Sequence, residues 1–544
     1  MPLLIICYMQ DAGVKLPSAK AKSRENEFWL PYKIKLHLVL IAKLRPFRTH
    51  TGRRQMGFVQ DHDLWTSEQG DAARKMLATI KEKDIRTIRL SWPDQYGILR
   101  GKSLSVEALE SACRDGSDVT NGPFLLDTAN GFCMDPFGKN MFSGTELAGV
   151  GNLTMVPDPN TFRILPWANK TGWLIADIYT TTGKPFPLSS RALLKRAVAE
   201  LEKQGYRINA GLEVEFYLTK ILDPSLEVGT LGAPGVQSKA PIVQALGKGY
   251  SYLSENHLDE VDDILSTIRD NLLDVGLPLR SIEDEFAPSQ YEITFDVLQG
   301  LDFADAMCLF KSATKQVARR NGYLASFMCY PKIPDFFPNG WHLHQSLEDI
   351  ETGENVFVPK PGQPISDIGK HWAGGLLSNA SAASSFTTMT INGYRRRRSN
   401  SLAPDRLSWA VDNRAAMARV IANPSSKASR IENRAGEPGN NPYLYLASQI
   451  FSGLDGIKRK LDPGPLLENP YDADVPHLPK NLNDAIDELE TSGMFREMMG
   501  DLFFEYWLNL RRSEWARFTD AEGDIEAQSG DVTEWEHNEY FELL

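Results

Sequence analysis

The amino-acid sequence predicts an α+β fold. Short segments that alternate apolar and polar residues, as half-buried strands do, are mixed with longer segments whose apolar residues recur at helical spacing. The two kinds of segment follow one another in irregular order, which favours α+β over a regularly alternating α/β arrangement. No internal repeat is visible in the 544 residues, and this length allows more than one domain.

The predicted elements begin after residue 56. Residues 67–83 carry apolar side chains on one side and predict a helix. Residues 85–92 predict a strand, and residues 99–104 predict a second strand that returns after a turn to form a hairpin. Residues 127–143 are rich in Gly, Asn and Asp and predict a loop, whereas residues 189–204 begin with two serines and predict a capped helix.

The composition excludes several classes of protein. The net charge of −12 argues against a dedicated nucleic-acid binder, which needs a basic surface. No apolar run is long enough for a membrane span, so we expect no membrane partner. The five cysteines lack the spacing of a zinc site or a disulfide framework, which indicates a reducing, cytoplasmic location.

Residues 1–55 differ from the rest of the chain in charge. They contain eleven Lys and Arg but three Asp and Glu. A basic leader can be a transit peptide, but this one lacks the Ser content and the amphipathic period of such a segment. We expect instead that Met56 is the true first residue and that residues 1–55 have little packed structure.

Four predicted strands place ionisable side chains two residues apart, which in a strand means on the same face. These side chains are Glu213 and Glu215, then Glu292 with Glu285 before it, then His342, His344 and Ser346, and finally Arg430, Glu432 and Arg434. A single pair of this kind is usually a solvated strand face. Here the opposite faces are apolar, as in strands that pack on a core, so we expect the polar faces to converge.

Convergence would bring five carboxylates and His342 together. Two carboxylates about 4 Å apart repel each other by about 4 kcal/mol at an effective dielectric constant of about 20, so the cluster needs cations to stay ionised. Carboxylate oxygens with one imidazole select Mg²⁺ or Mn²⁺. Three carboxylates on one ion, and two with a histidine on another, would form a two-metal site suited to phosphoryl transfer.

Arginines are concentrated between residues 394 and 434. They include the four at 395–398, Arg414, Arg419, Arg430 and Arg434. Arginines beside a carboxylate site that holds cations indicate anionic substrates, such as nucleotide phosphates and a substrate carboxylate. No Walker A motif or kinase glycine loop is present, so phosphate binding would depend on metals and arginines.

These motifs resemble those of the glutamine synthetase family, from about residue 60 to the C terminus. The matching segments are Gly-Leu-Glu-Val-Glu-Phe at 211–216, Glu-Phe-Ala-Pro-Ser-Gln-Tyr-Glu at 285–292, Asn-Gly-Trp-His-Leu-His-Gln-Ser at 339–346, Asn-Gly-Tyr-Arg-Arg at 392–396 and Arg-Ile-Glu-Asn-Arg at 430–434. The resemblance implies a small N-terminal β-grasp domain at 56–165. It also implies a larger catalytic domain at 166–544, in which an antiparallel sheet forms a metal-lined funnel.

The resemblance also implies a role for each matched residue. The first metal would be held by Glu215, Glu285 and Glu292, and the second by Glu213, His342 and Glu432. ATP would be contacted by His344, Ser346, Arg419 and Arg430, and glutamate by Arg396, Arg434 and Gly340. Arg414 would stabilise the transferring phosphoryl group, so the catalytic set is Arg414, Glu292 and Arg396.

The reaction implied by the resemblance has two steps. ATP phosphorylates the γ-carboxylate of glutamate, and an amine then attacks the acyl phosphate. Members of the family assemble as stacked rings, so we expect a homo-oligomer, for example a dodecamer, whose active sites are shared between subunits.

The sequence departs from the family pattern around the amine. Leu402 stands where ammonia-using members carry a flap glutamate, six residues after the arginine matched by Arg396. Leucine neither binds ammonium nor accepts its proton, and an apolar wall suits an organic amine. Asp127 and Asp135 are alternative candidates for the amine-binding aspartate. Phe337 and the proline after it replace a small, glycine-rich turn of the family.

Three hypotheses about function follow. The first is an ATP-dependent ligase that joins glutamate to an alkyl-, poly- or arylamine. The second is ordinary glutamine synthesis from ammonia, with the proton acceptor supplied elsewhere. The third is a catalytically silent, ring-forming protein, against which the complete set of predicted metal ligands argues.

Overall fold

The computed structural model describes residues 57–523 and 531–544. The extension predicted at residues 1–55 therefore lies outside the described residues. In the part of the chain that is described, no helix combines the length and the hydropathy that crossing a bilayer requires.

The described residues form fourteen α-helices, two of which match the helices predicted at 67–83 and 189–204. The α-helices are α1 (Phe58–Asp61), α2 (Ser67–Glu82), α3 (Val106–Asp115), α4 (Ser190–Glu202), α5 (Glu255–Glu260), α6 (Asp262–Asp274), α7 (Gly300–Arg320), α8 (Asp367–Ser378), α9 (Ala380–Thr387), α10 (Pro442–Arg459), α11 (Leu482–Glu490), α12 (Gly493–Met499), α13 (Asp501–Glu522) and α14 (Glu534–Tyr540). Short 3-10 helices cover Gly122–Leu125, Pro159–Thr161, Asn392–Arg396 and Pro470–Asp472. The Ser189 side chain caps α4 by accepting a hydrogen bond from the Ala192 N–H, as the paired serines predict.

The strands form two sheets. They are β1 (Thr87–Pro93), β2 (Leu99–Leu104), β3 (Ser117–Thr120), β4 (Asn152–Pro157), β5 (Arg163–Ile164), β6 (Thr171–Thr180), β7 (Tyr206–Asp223), β8 (Ile242–Gln244), β9 (Leu279–Asp284), β10 (Gln290–Phe295), β11 (Leu298–Gln299), β12 (Tyr323–Ser326), β13 (Trp341–Asp349), β14 (Trp409–Val411), β15 (Ala418–Ile421) and β16 (Arg430–Gly436). The mixture of helices and largely antiparallel strands confirms the α+β prediction.

The first sheet has the order β2-β1-β6-β4-β3, with β5 paired to β6. Strands β1 and β2 pair antiparallel, which confirms the predicted hairpin. The sheet includes β6 and therefore continues past residue 165, where the sequence analysis places the domain boundary. The predicted loop at 127–143 contains turns and bends but no strand or helix.

The second sheet has the order β14-β15-β16-β13-β7-β10-β9, and β8, β11 and β12 also pair with β7. Its central strand β7 turns Leu212, Val214 and Phe216 into the core, where each is at most 2% exposed. Helices α4 and α7 pack against β7. Because alternate side chains point to opposite faces, the polar residues of β7 are directed away from the core.

Candidate active site

Strand register brings the predicted polar faces together. On the two neighbours of β7, His342 of β13 lies opposite Glu213, and Glu292 of β10 lies opposite Glu215. Farther along the sheet, Glu432 of β16 lies opposite His344 of β13. Residues directly opposite each other have neighbouring side chains, so four adjacent strands present one continuous row of ionisable groups.

Glu213 is at the centre of this row. Its two carboxylate oxygens lie 2.7 Å from Nδ1 of His342 and 2.8 Å from Nε2 of His344. Two groups of side chains could each hold a metal ion, because the ligand atoms within each group lie within 4.8 Å of one another. The groups are Glu213, Glu292 and His342, and Glu213, His344 and Glu432. His344, predicted to contact ATP, thus also lies within reach of a metal, because it shares a strand face with His342.

Burial and mutual repulsion change the ionisation of the first group of carboxyls. Burial, followed by the charge of Glu285, raises the pKa of Glu215 to about 8. Burial and the charges of Glu213 and Glu215 raise the pKa of Glu292 to about 10. Burial also raises the pKa of Glu285 to about 7. These carboxyls need positive charge to ionise together, and a divalent cation is the usual source of it.

In the second group, Glu213 and His342 are held in the forms that can bind a metal. Burial favours the neutral form of Glu213, but hydrogen bonds with His342 and His344 lower its pKa. Burial and the charge of Arg434 lower the pKa of His342 to about 4, so this ring is neutral and able to bind a metal. Carboxylates with neutral imidazole fit Mg²⁺ or Mn²⁺.

Glu215 is also held by hydrogen bonds from Gln290 and Gly340, of which only Gly340 was among the predicted site residues. The Gln290 side-chain amide donates to a Glu215 oxygen at 3.1 Å and to the Asn339 side-chain oxygen at 2.8 Å. The Gly340 N–H donates to the same Glu215 oxygen at 2.8 Å. A Cβ on Gly340 would lie 2.7 Å from Nη2 of Arg396 and 2.9 Å from Nε2 of His342, so a larger residue would displace these two side chains. Gln290 and Asn339 lie inside the segments that resemble the family motifs, and this position is the sequence signal that could have identified them.

The arginines lie around the carboxylates and hold them in place. Arg419 and Arg434 donate to the two oxygens of Glu432, at 2.9 Å and 2.5 Å. The Nε of Arg430 lies 3.1 Å from Nδ1 of His344. Because Glu432 is fully buried, these pairs keep its charge compensated.

The predicted glutamate-binding arginines lie side by side. Arg396 donates from Nη1 to the Arg434 carbonyl oxygen at 2.9 Å, and its Nη2 lies 3.3 Å from Nε2 of His342. Arg434 in turn donates to the carbonyl oxygens of Arg414 at 2.9 Å and Leu402 at 3.3 Å. The backbone of Leu402 therefore contacts Arg434, and the residue is 67% exposed.

Of the remaining predicted site residues, Ser346 lies on the same strand as the histidines, whereas Asp127 and Asp135 lie in a separate loop. Ser346 shares the β13 face of His344 and is opposite Asn209 of β7. Asp127 pairs instead with Arg517 at 2.8 Å and accepts backbone N–H groups of its own loop. Asp135 likewise accepts the Phe137 N–H at 2.9 Å. Neither aspartate has a recorded contact with the carboxylate row in the described part of the chain.

A buried carboxylate on α14 supports the arginine segment from behind. Glu536 is fully buried and accepts hydrogen bonds from Arg395 at 2.8 Å and from the Asn392 side chain at 2.9 Å. Both donors belong to the 3-10 helix that also carries Arg396. Glu536 was not predicted, because nothing in the local pattern near the C terminus relates it to residues 392–396.

Comparison with known proteins identifies the family. Residues 187–530 match the family model of the glutamine synthetase catalytic domain. The chain belongs to the glutamine synthetase family. It is 56% identical to the gamma-glutamylanilide synthase of an Acinetobacter species over 497 residues, which cover 90% of this chain and 99% of that protein.

More distant members of the glutamine synthetase family match over a similar length. The glutamine synthetase of Methanosarcina mazei is 31% identical over 491 residues, covering 86% of this chain and 97% of that protein. A solved structure of GmaS in complex with ADP matches with a TM-score of 0.69 and 26% identity, covering 85% of this chain and 98% of that one. Family membership implies the use of ATP and divalent metal ions, and the two ligand groups suit such ions.

Proposed function

We propose that the protein is an ATP-dependent carbon–nitrogen ligase that joins the γ-carboxylate of glutamate to an organic amine, with an arylamine as the preferred acceptor. The observation that carries this proposal is the strand register that gathers Glu213, Glu215, Glu292, His342 and Glu432 on one face of the sheet. The preference for an arylamine is supported by the 56% identity with a protein named gamma-glutamylanilide synthase.

The proposed metal ligands follow the two groups of the carboxylate row. Glu215, Glu285 and Glu292 hold one ion, and Glu213, His342 and Glu432 hold the other, with His344 able to join the second set. Bound Mg²⁺ or Mn²⁺ supplies charge compensation for the nucleotide phosphates and the transferring phosphoryl group. Arg414 adds to this compensation, while His344, Ser346, Arg419 and Arg430 orient ATP.

The chain's own residues position glutamate for both steps. Arg396 and Arg434 bind its carboxylates, and the absence of a side chain at Gly340 leaves room for the guanidinium of Arg396. In the first step a γ-carboxylate oxygen attacks the terminal phosphorus of ATP, and ADP leaves. In the second step the amine nitrogen attacks the acyl carbon, the bond to the phosphate oxygen breaks, inorganic phosphate leaves and the nitrogen releases a proton.

Leu402 supports an acceptor that is neutral before it reacts. Ammonia is mostly ammonium at neutral pH and must lose a proton before it can attack, which a flap carboxylate assists. An arylamine is a weak base, because its nitrogen lone pair is delocalised into the ring, and it reaches the site as the neutral nucleophile. With leucine at this position the flap lacks the carboxylate, which an arylamine does not need in order to react.

We also propose a homo-oligomer of stacked rings, such as a dodecamer, with shared active sites and a cytoplasmic location. In such an assembly the amine pocket includes Leu402, and Asp127 or Asp135 would belong to a neighbouring subunit. The support for sharing is that the hydrogen bonds of both aspartates lie within their own N-terminal part of the chain or at Arg517.

A phosphate-release assay with glutamate, Mg-ATP and a panel of amines tests the function. We expect aniline to give a higher kcat/KM than isopropylamine, ethanolamine or ammonia. Ammonia exceeding every organic amine would indicate glutamine synthesis instead. Absence of phosphate release with every amine, together with no thermal stabilisation by Mg-ATP, would indicate a silent member of the family.

A further inference from the structure

Three aromatic side chains form an exposed cluster that the carboxylate row does not use. We call Tyr250, Phe286 and Phe337 the aromatic patch; they are 51%, 42% and 40% exposed. Their ring centroids lie 5.1 Å, 5.5 Å and 6.5 Å apart, all at edge-to-face angles. Soluble proteins seldom leave adjoining large apolar groups in water without a binding role, so we expect the patch to bind a ligand or another protein.

The patch borders the carboxylate row. Phe286 directly follows Glu285, and its N–H donates to a Glu285 carboxylate oxygen at 3.0 Å. The Tyr250 N–H donates to the Phe286 carbonyl oxygen at 2.6 Å, and the Leu253 N–H donates to the Asp284 carbonyl oxygen at 3.0 Å. The loop at 250–253 therefore runs along the segment that carries Glu285, and the patch is next to a proposed metal ligand.

The patch is held in shape although its rings are exposed. The Tyr217 hydroxyl accepts from the Phe337 N–H at 2.8 Å and donates to the Phe337 carbonyl oxygen at 2.6 Å. The Tyr250 hydroxyl donates to the Asp335 carbonyl oxygen at 2.8 Å. Tyr250 and Leu253 have φ values of 66° and 57°, a left-handed conformation that is costly for bulky residues and must be held by the surrounding contacts.

From these contacts we propose that the aromatic patch binds the ring of the amine acceptor and directs its nitrogen towards Glu285 and the acyl carbon. The inference rests on the proposed function and names residues that determine its specificity. The patch offers ring faces and edges and no charged side chain of its own, so a flat ring packs against it over a larger area than ammonium or a small alkyl group does. Its position beside Glu285 favours a substrate ring over a docked protein.

Phe337→Ala tests the patch through a ratio of activities. The variant removes one ring, and we expect the ratio of kcat/KM for aniline to kcat/KM for isopropylamine to fall by about tenfold, as the loss of one aromatic contact and its buried area predicts. Phe286→Leu, which keeps apolar volume but removes the ring, is expected to lower the same ratio. Phe337→Tyr keeps the ring and is expected to retain the wild-type ratio.

A non-reacting probe separates binding of the ring from turnover. N,N-dimethylaniline has no hydrogen to lose after attack, so it cannot yield the amide. We expect it to compete with aniline in the wild-type enzyme and to compete at least about tenfold more weakly in Phe337→Ala. Leu466→Ala, which shortens an exposed leucine outside the site, is the control and is expected to keep both the ratio and the inhibition.

The outcomes distinguish this inference from the proposed function. The wild-type enzyme could use aniline while Phe337→Ala and Phe286→Leu keep the wild-type ratio. That result would refute the aromatic patch as the ring-binding site and leave the proposed function in place. A fall in the mass measured by light scattering, with an unchanged ratio, would instead make the patch an interface between copies. A wild-type enzyme that is inactive with every amine would overturn the proposed function itself.

Discussion

We expect substitution of Leu402 to change the preference of the enzyme for ammonia or an organic amine. Leu402→Glu would place a carboxylate beside Arg434, whose side chain already contacts the Leu402 carbonyl oxygen. We expect the ratio of ammonia to aniline kcat/KM to rise by about tenfold or more, because a positioned carboxylate can accept the proton of ammonium. Leu402→Gln has the same length without the charge and should change the ratio little. An equal effect of both variants in the phosphate-release assay would refute a role for the charge.

Glu437 is a second residue whose environment predicts a measurable effect, in this case on stability. Burial raises its pKa from 4.5 to about 7, and its carboxyl contacts the Thr390 hydroxyl at 2.7 Å. The folded-state pKa is raised, so the stabilisation is complete below pH 4.5 and is lost as the pH rises through 7. Over that interval the loss is on the order of 3 kcal/mol.

Glu437→Gln removes this dependence on pH. The amide has nearly the same shape, stays neutral and can donate to the Thr390 hydroxyl, so we expect the variant to be more stable than the wild type above pH 7 and similar to it below pH 4.5. Thermal melting of both proteins at several pH values measures the difference. A difference in melting temperature that does not change with pH would contradict the assignment.

At the scale of elements, α14 supports the 3-10 helix Asn392–Arg396 through Glu536. Glu536→Gln removes the charge that orients Arg395, so we expect Arg396 to lose its position and the KM for glutamate to rise by about tenfold, with a smaller change in kcat. Glu534→Gln is a matched control on the same helix, because Glu534 is exposed and lies 3.5 Å from Lys332. If Glu536→Gln lowers the melting temperature but leaves this KM unchanged, α14 is a structural support only.

The elements also show what the sequence could and could not predict. Alternation with a period of two placed Glu213 with Glu215, and His342 with His344, on common faces, because strand geometry fixes that relation locally. Which strands are neighbours depends on long-range pairing, and spacing along the chain does not encode it. The family resemblance supplied that information for the motifs. It could not supply the link from Glu536 to Arg395, which joins residues far apart in the chain.

For the molecule as a whole, one segment carries unusual exposed apolar surface. Large exposed apolar side chains recur along residues 222–242, namely Leu222, Leu226, Val228, Leu231, Val236 and Ile242. The segment is anchored near its end, because the Gln237 amide donates to the Trp535 carbonyl oxygen at 3.1 Å and the Ala240 N–H to the Asn538 side chain at 2.9 Å. Its exposed apolar side chains suit a surface that another copy covers.

The proposed assembly can therefore be tested at this segment. Leu226→Asp combined with Val228→Asp would place two charges in the apolar surface, and the cost of burying unpaired charge should shift the protein from the large ring assembly to smaller species. Light scattering coupled to size-exclusion chromatography measures the change. Leu273→Asp introduces a charge at another exposed leucine and should leave the mass unaltered. If the double variant elutes with the wild-type mass, the segment does not form the interface, and the ring contacts must lie elsewhere on the molecule.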